Sequence, residues 1–235
     1  MSTLSFLSND LAEAQQNTGF RLNTYSFLAE IFLQEPNLNR WPKQHQSINE
    51  QLQEIGETSS FSDHIPEWGS TVIEKVRQEF YDCFFVPRSE RYVPPFESAL
   101  RTYKPGVKKP FGALNSPEGN HVAQCYKVIN FNPWELNIFA PLREIRLPDH
   151  IGFELAFMAM LCGAECEAWK NDQQEYAQKW REMEKRFLAE HLSQWVSQFS
   201  QALQEIAPGF YADAAKLTEQ WVLSDNEDLI QSTMH

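Results

Sequence analysis

Apolar residues recur along most of this chain at three- and four-residue spacing, the repeat that gathers side chains on one face of an α-helix. RLNTYSFLAEIFLQEP carries Leu22, Tyr25, Leu28 or Ala29, and Phe32 in that register and is stopped by Pro36, so it predicts an amphipathic helix. A weaker pattern around Ile48, Leu52 and Ile55 predicts another. IPEWGSTVIEKVRQEFYDCFFVP predicts a strong one, with Val72, Val76, Phe80 and Phe84 on one face and Pro87 at its stop. Between Val86 and Asn120 six prolines exclude a long helix, so loop or extended chain is expected. Connections of that length are usually functional or mobile. SPEGNHVAQCYKVINF resumes the helical pattern: Pro117 suits a first helical position, Glu118 the positive helix end, and Val122, Cys125 or Tyr126, and Ile129 point inward. NFNPWELNIFAPLREIRLP breaks it again with three prolines.

From Pro148 the chain reads as helix almost to its end. LPDHIGFELAFMAML is apolar nearly all round beyond its Asp149-His150 pair, with Glu154 the one acid between Ile151 and Leu161, which predicts a central helix running to Trp169. Further helices are expected from about Asp172, with Tyr176, Trp180, Met183 and Phe187 inward, and over Leu192, Trp195 or Val196, Phe199, Leu203 and Ile206. Pro208 and Gly209 then break the pattern before a last helix with Ala214, Leu217 and Trp221. Nowhere does a run of Val, Ile and Thr alternate with polar residues between turn signals, so no β-sheet is expected. The predicted fold is all-α, a helical bundle of roughly ten helices in two lobes. Residues 1–131 form an N-terminal lobe with the Pro-rich loop 86–120, residues 132–147 a hinge, and residues 148–235 a C-terminal bundle.

Composition excludes a disordered chain, since 42% of residues are hydrophobic and 13% aromatic. The formal net charge of -12 would repel a nucleic-acid backbone or an anionic lipid surface and attract a basic partner. No basic residue precedes Arg21 and no long apolar run follows the start, so the N-terminus does not read as a secretion signal. The densest apolar run, Leu155 to Cys162, is far short of the roughly 20 residues that cross a bilayer. A cytoplasmic protein with no membrane insertion is expected. Cys83, Cys125, Cys162 and Cys166 sit in helical patterns and read as reduced thiols.

Phosphate-binding glycine loops and the GxSxG elbow of serine hydrolases are absent from the sequence. A di-iron bundle needs two Glu-x-x-His pairs, and Glu118 to His121 alone fits. His150 and Glu154 share a helix face, but Cys162 and Cys166 lie roughly 12 Å further along, too far for one ion to bridge. No metal, cofactor or catalytic residue is therefore expected. Asp149 and His150 remain open between a helix start, with Asp149 accepting backbone N–H bonds, and part of a docking surface. Glu154 needs a partner if buried; Arg143 and Arg146 are internal candidates and a bound basic peptide an external one.

Three ordered stretches, RLNTYSFLAEIFLQEP, EFYDCFFVPRSERYVPPFESAL and PDHIGFELAFMAML, resemble the TorD/DmsD/NarJ group of bacterial chaperones for molybdenum-containing oxidoreductases, over about residues 20 to 225. The family's aromatic-x-x-L-F motif falls on Tyr81, Phe84 and Phe85, with Phe84 where Leu is usual; its Pro-Pro-aromatic-Glu-Ser segment falls on Pro94, Pro95, Phe96, Glu97 and Ser98. The Asp-His pair falls on Asp149 and His150, and Arg146 stands where an acid usually precedes it. The resemblance implies a TorD-like helical fold and a chaperone that catalyses nothing. Such a chaperone binds the twin-arginine leader and apo form of a molybdoenzyme catalytic subunit, supports cofactor insertion and delays export. Glu97 and Asp149 would then pair with leader arginines, with Glu154 and Ser98 in the same site. Tyr81, Phe84 and Phe85 would form or support an apolar floor, and His150 would orient Asp149 or donate to peptide carbonyls. Some members exchange a lobe between two chains, and residues 132–147 could serve as the hinge of such a homodimer. Two other readings stand beside this one: a NarJ-type assembly factor for a molybdoenzyme that is not exported, and a hydrolytic enzyme using His150 as general base.

Overall fold

The computed structural model describes residues 3–37, 39–41, 43, 46 and 69–231; the weak helix around Ile48, Leu52 and Ile55 lies outside them. In chain order come α1 (Thr3–Leu33), α2 (Ser70–Phe84), a short α3 (Glu97–Leu100), α4 (Pro117–Val128), a short α5 (Leu142–Ile145), α6 (Ile151–Lys170), α7 (Gln174–Glu190), α8 (Val196–Ile206) and α9 (Phe210–Gln231). Single 3₁₀ turns occupy Pro133–Glu135 and Leu192–Gln194. Among the described residues there is no strand or sheet, and the fold is an all-α bundle.

Helix α6 is central because its apolar residues leave almost no polar face. Phe153, Leu155, Phe157, Met158, Leu161 and Cys162, which together circle the helix, are all buried. Its main neighbours are α1 and α7, and α8 packs antiparallel to α9. Gly152 is what lets the end of α1 press onto the start of α6, since a Cβ there would lie 2.5 Å from Leu33 Cγ. Helix α1 begins at Thr3, well before the start expected near Arg21. No proline interrupts Thr3 to Phe20, and Leu, Ala, Glu and Gln there let a helix anchored by its packed half propagate backward.

Facing the apolar end of α1, the strong periodicity of α2 buries Ile73, Val76, Phe80, Cys83 and Phe84. Aromatic rings knit four helices there: Phe84 meets Tyr211 of α9 at 5.0 Å, edge to face, and Phe32 of α1 meets Phe199 of α8 at 5.4 Å. One buried cluster runs from Tyr25 in α1 to Leu229 in α9. In α7 the inward face is carried by Ala177, Glu184, Phe187 and Leu188. Tyr176, expected inward, is 57% exposed and lies under Lys179; the shorter Ala177 fits the close approach instead.

A buried ion cluster joins the far ends of these helices. Arg21 of α1 reaches Asp225 of α9 at 2.6 Å, Glu184 of α7 at 2.7 Å and Glu165 of α6 at 3.2 Å. Tyr25 Oη donates to Asp225 at 2.7 Å.

Candidate functional site

Two Pro-rich breaks, one ahead of α3 and one ahead of α6, meet in an antiparallel bridge between Phe96 and His150. Glu97 N–H donates to Asp149 O at 2.9 Å, and Ile151 N–H donates to Pro95 O at 3.0 Å. The pairing stops there because Pro94 and Pro95 have no N–H to extend it. Asp149 adds a side-chain tie: its Oδ2 accepts from Ser98 N–H at 2.8 Å, at the start of α3. The N-cap of α6 is His150, whose Nδ1 accepts from Gly152 N–H at 3.1 Å. The backbone-capping role expected of Asp149 is thus exercised on α3, across the junction.

This junction gathers seven of the residues singled out in the sequence. Pro94, Pro95, Glu97, Ser98, Asp149, His150 and Glu154 are all buried, with Glu97 and Glu154 at 0% exposure. Glu154 Oε2 accepts from Trp195 Nε1 at 3.1 Å. Arg143 and Arg146, offered as its partners, turn outward instead: Arg143 donates to Leu136 O, and Arg146 lies over the Trp134 ring. Glu97 is held on both oxygens, by Arg101 at 2.6 Å and by His191 Nδ1 at 2.9 Å. Asp149 Oδ1 and Glu154 Oε1 are buried without a hydrogen-bond partner among the described residues.

Charge at the junction is under-compensated. Burial, and then repulsion from Glu97 and Asp149, pushes the Glu154 carboxyl well above its ordinary range. Asp149 is pushed up chiefly by burial, which the hydrogen bonds from Ser98 oppose. His150 moves the other way, down to about 3, because its ring is enclosed and gains no compensating charge. A histidine so depressed and already used as a cap acceptor is a poor general base at neutral pH, which removes the hydrolytic reading of His150.

The aromatic trio has a different set of neighbours. Phe84 is 4% exposed and packs on Phe32, Phe80, Phe199 and Tyr211, deep in the core. Phe85 and Tyr81 are half-buried and flank Phe139, and the Tyr81 hydroxyl donates to Glu35. Tyr81 and Phe139 line a surface groove of about 640 Å³ with Glu35, Arg77 and Asn137. The groove and the junction are linked at Leu33, whose carbonyl accepts from Phe139 N–H and whose side chain rests on Gly152.

Sequence reasoning missed Arg101, His191, His121 and Trp195. Glu97 and Arg101 are an i, i+4 pair, a signal available once α3 is taken as helical. His191 and Trp195 come from the turn after α7, far along the chain, and nothing local marks them. His121 Nδ1 lies 2.8 Å from His191 Nε2, so the junction reaches the surface through a chain of Glu97, His191 and His121.

A family model described as nitrate reductase delta subunit matches residues 41–201. No match was found among curated proteins or among solved structures. That span covers more than half of the chain, including α2 to α7 and both halves of the junction, and no helix among the described residues is long and apolar enough to cross a membrane. The chain belongs to the nitrate reductase delta subunit family, a group of molybdoenzyme assembly chaperones that catalyse no reaction of their own.

Proposed function

We propose that this chain is a cytoplasmic chaperone that binds the twin-arginine leader and the apo form of a molybdenum-cofactor oxidoreductase subunit, supports cofactor insertion and delays export. The observation that carries the reading is the surplus of buried carboxylates at the junction. Glu97 and Asp149 raise the cost of ionising Glu154, as Glu97 does that of Asp149; two of their oxygens lack partners among the described residues, and Arg101, the cation on Glu97, sits at the rim with a side chain 26% exposed. A site in that condition gains free energy by taking up a guanidinium, which offers a planar fork of donors for carboxylate oxygens. On this reading Arg101 swings outward, a leader arginine takes its place on Glu97 Oε1, and Asp149 Oδ1 receives the second donor. Pro94, Pro95 and Ser98 hold the carboxylates in register. His150 stays neutral and keeps Asp149 in place through the α6 cap, and with Nδ1 accepting from Gly152 its Nε2–H is the donor for a peptide carbonyl once the site opens. The apolar part of the leader lies on the rings of Tyr81, Phe85 and Phe139 at the edge of the groove, with Phe84 supporting them from the core. Exchange of residues 148–235 between two chains across the 132–147 hinge belongs to the same proposal, and light scattering at increasing concentration tests it.

The family's description favours a second reading, in which the client is a molybdoenzyme that is not exported and the bound segment is the start of the mature subunit. One experiment separates the two. A fluorescently labelled leader with an Arg-Arg head, the same leader with Lys-Lys, and a leaderless mature N-terminal segment are titrated with the chain. Tight binding of the Arg-Arg leader with at least tenfold weaker binding of the other two supports the first reading. Preference for the leaderless segment supports the second, and binding of none of the three overturns both.

A further inference from the structure

Where the junction reaches the surface, three metal-ligating side chains converge, and the chaperone reading gives none of them a ligand. His121 and Cys125 are four residues apart on α4 and so share one face of that helix; His191 follows the end of α7. One ligand atom from each, an imidazole nitrogen or the Cys125 Sγ, lies within 4.8 Å of the others. Around a tetrahedral ion with bonds of about 2.0–2.3 Å such atoms stand about 3.3–3.8 Å apart, so a small inward rotation of half-buried Cys125 and a slight parting of the rings suffice.

The outer partners are those a bound ion needs. His191 Nδ1 is fixed on Glu97 at 2.9 Å, which turns its Nε2 lone pair toward His121. His121 Nδ1 must then carry the proton that bridges the two rings. Its other nitrogen, Nε2, faces Glu190 at 3.9 Å. Each carboxylate is held in turn by an arginine: Glu97 by Arg101 at 2.6 Å and Glu190 by Arg186 at 2.9 Å. A histidine ligand held by a carboxylate on its far nitrogen is the usual arrangement around zinc, because it fixes the tautomer and raises basicity. A surface groove of about 320 Å³, lined by His121, Cys125 and Glu190 among others, gives an ion a way in and leaves room for a fourth ligand.

We propose that His121, Cys125 and His191 bind one zinc-class divalent cation, the ion taking the place of the proton that now joins the two imidazoles. On binding, the His121 proton moves from Nδ1 to Nε2, where Glu190 accepts it, and Cys125 loses its thiol proton to solvent. Two nitrogens and a thiolate favour zinc over the oxygen-preferring calcium and magnesium. The bound ion clamps α4 to the end of α7 and stiffens Glu97 from behind.

The test uses the intact chain and two variants at half-buried positions, Cys125→Ser and His121→Ala. Zn²⁺ affinity is measured by chelator competition, and Co²⁺ is added as a spectroscopic substitute. The expected result is one Zn²⁺ per chain, thiolate-to-cobalt charge transfer in the unaltered chain and its loss in Cys125→Ser, and at least ~10–100-fold weaker Zn²⁺ binding in both variants. Zinc should also raise the melting temperature of the unaltered chain and not that of Cys125→Ser. No stoichiometric uptake by the unaltered chain, or uptake undiminished in both variants, overturns the proposal.

Discussion

Two buried ion clusters hang from α6, one at Glu165 near its end and one at Glu154 near its start, about 16 Å apart along the axis. At the Glu165 end, three carboxylates from three helices converge on Arg21, which is itself buried and comes from a fourth. Burial outweighs the pull of Arg21 and holds Glu184 up to about 8, so with Glu184 protonated the charges there balance, Arg181 lying 3.6 Å from Glu165. At the Glu154 end, Arg101 at the rim and His191 hold Glu97, while Asp149 and Glu154 have no ion pair among the described residues; Asp149 Oδ1 and Glu154 Oε1 lack hydrogen-bond partners, as Glu184 Oε1 does at the other end. A cation locked inside makes the first cluster a pin; in the proposed function the rim position of Arg101 is what lets the second act as a receptor. The residue types are the same in both, and what separates the clusters is where the compensating charge sits.

Breaking the pin has the largest expected effect. Arg21→Met leaves buried carboxylates uncompensated and is expected to remove about 3–5 kcal/mol of unfolding free energy, read by urea denaturation; a loss under ~1 kcal/mol would erase the contrast. The pH response adds a second contrast, because Glu184 in one cluster and His150 in the other have opposite slopes. Glu184 keeps its proton in the folded state up to about 8 but loses it near its ordinary 4.5 when unfolded, so its contribution declines as pH rises between those values. His150 stays neutral in the folded state down to about 3 but protonates near 6.5 when unfolded, so its contribution declines as pH falls through that window. Each slope is bounded by about 1.4 kcal/mol per pH unit. Glu184→Gln should flatten the alkaline limb of stability against pH. His150→Asn, which keeps a cap acceptor, should flatten the acid limb. Chemical denaturation across pH 4 to 8 measures both. The smallest effect belongs to Arg101→Gln: about 1–3 kcal/mol of stability, less than for Arg21→Met because Arg101 is partly exposed and His191 still holds buried Glu97, with tighter binding of an arginine-headed peptide because Glu97 Oε1 is released.

Helical periodicity made α2, α4 and α6 to α9 legible, because each buries one stripe or, in α6, nearly its whole surface. The first half of α1 was illegible because it has no strong apolar stripe to announce it. The residues marked by ordered motifs, Glu97, Ser98, Asp149 and His150, do meet at the junction. Their roles were less legible: Asp149 caps α3 where a cap on α6 was the local expectation, and Glu154 pairs with Trp195 where nearby arginines looked suitable. Those choices are made by tertiary contacts, as are Arg21 with Asp225 and Glu97 with His191, and spacing along the chain carries no trace of them.

In the proposed function the carboxylates at the junction receive a partner's guanidinium. Asp149→Asn tests it most directly, since Asn retains an acceptor for Ser98 N–H and removes the charge. In a titration with an arginine-headed leader peptide, the expected loss is about 2–5 kcal/mol, tens to thousands of fold in affinity, with helix content unchanged by circular dichroism. Equal affinity of the two proteins for that peptide, with the fold intact, would contradict it.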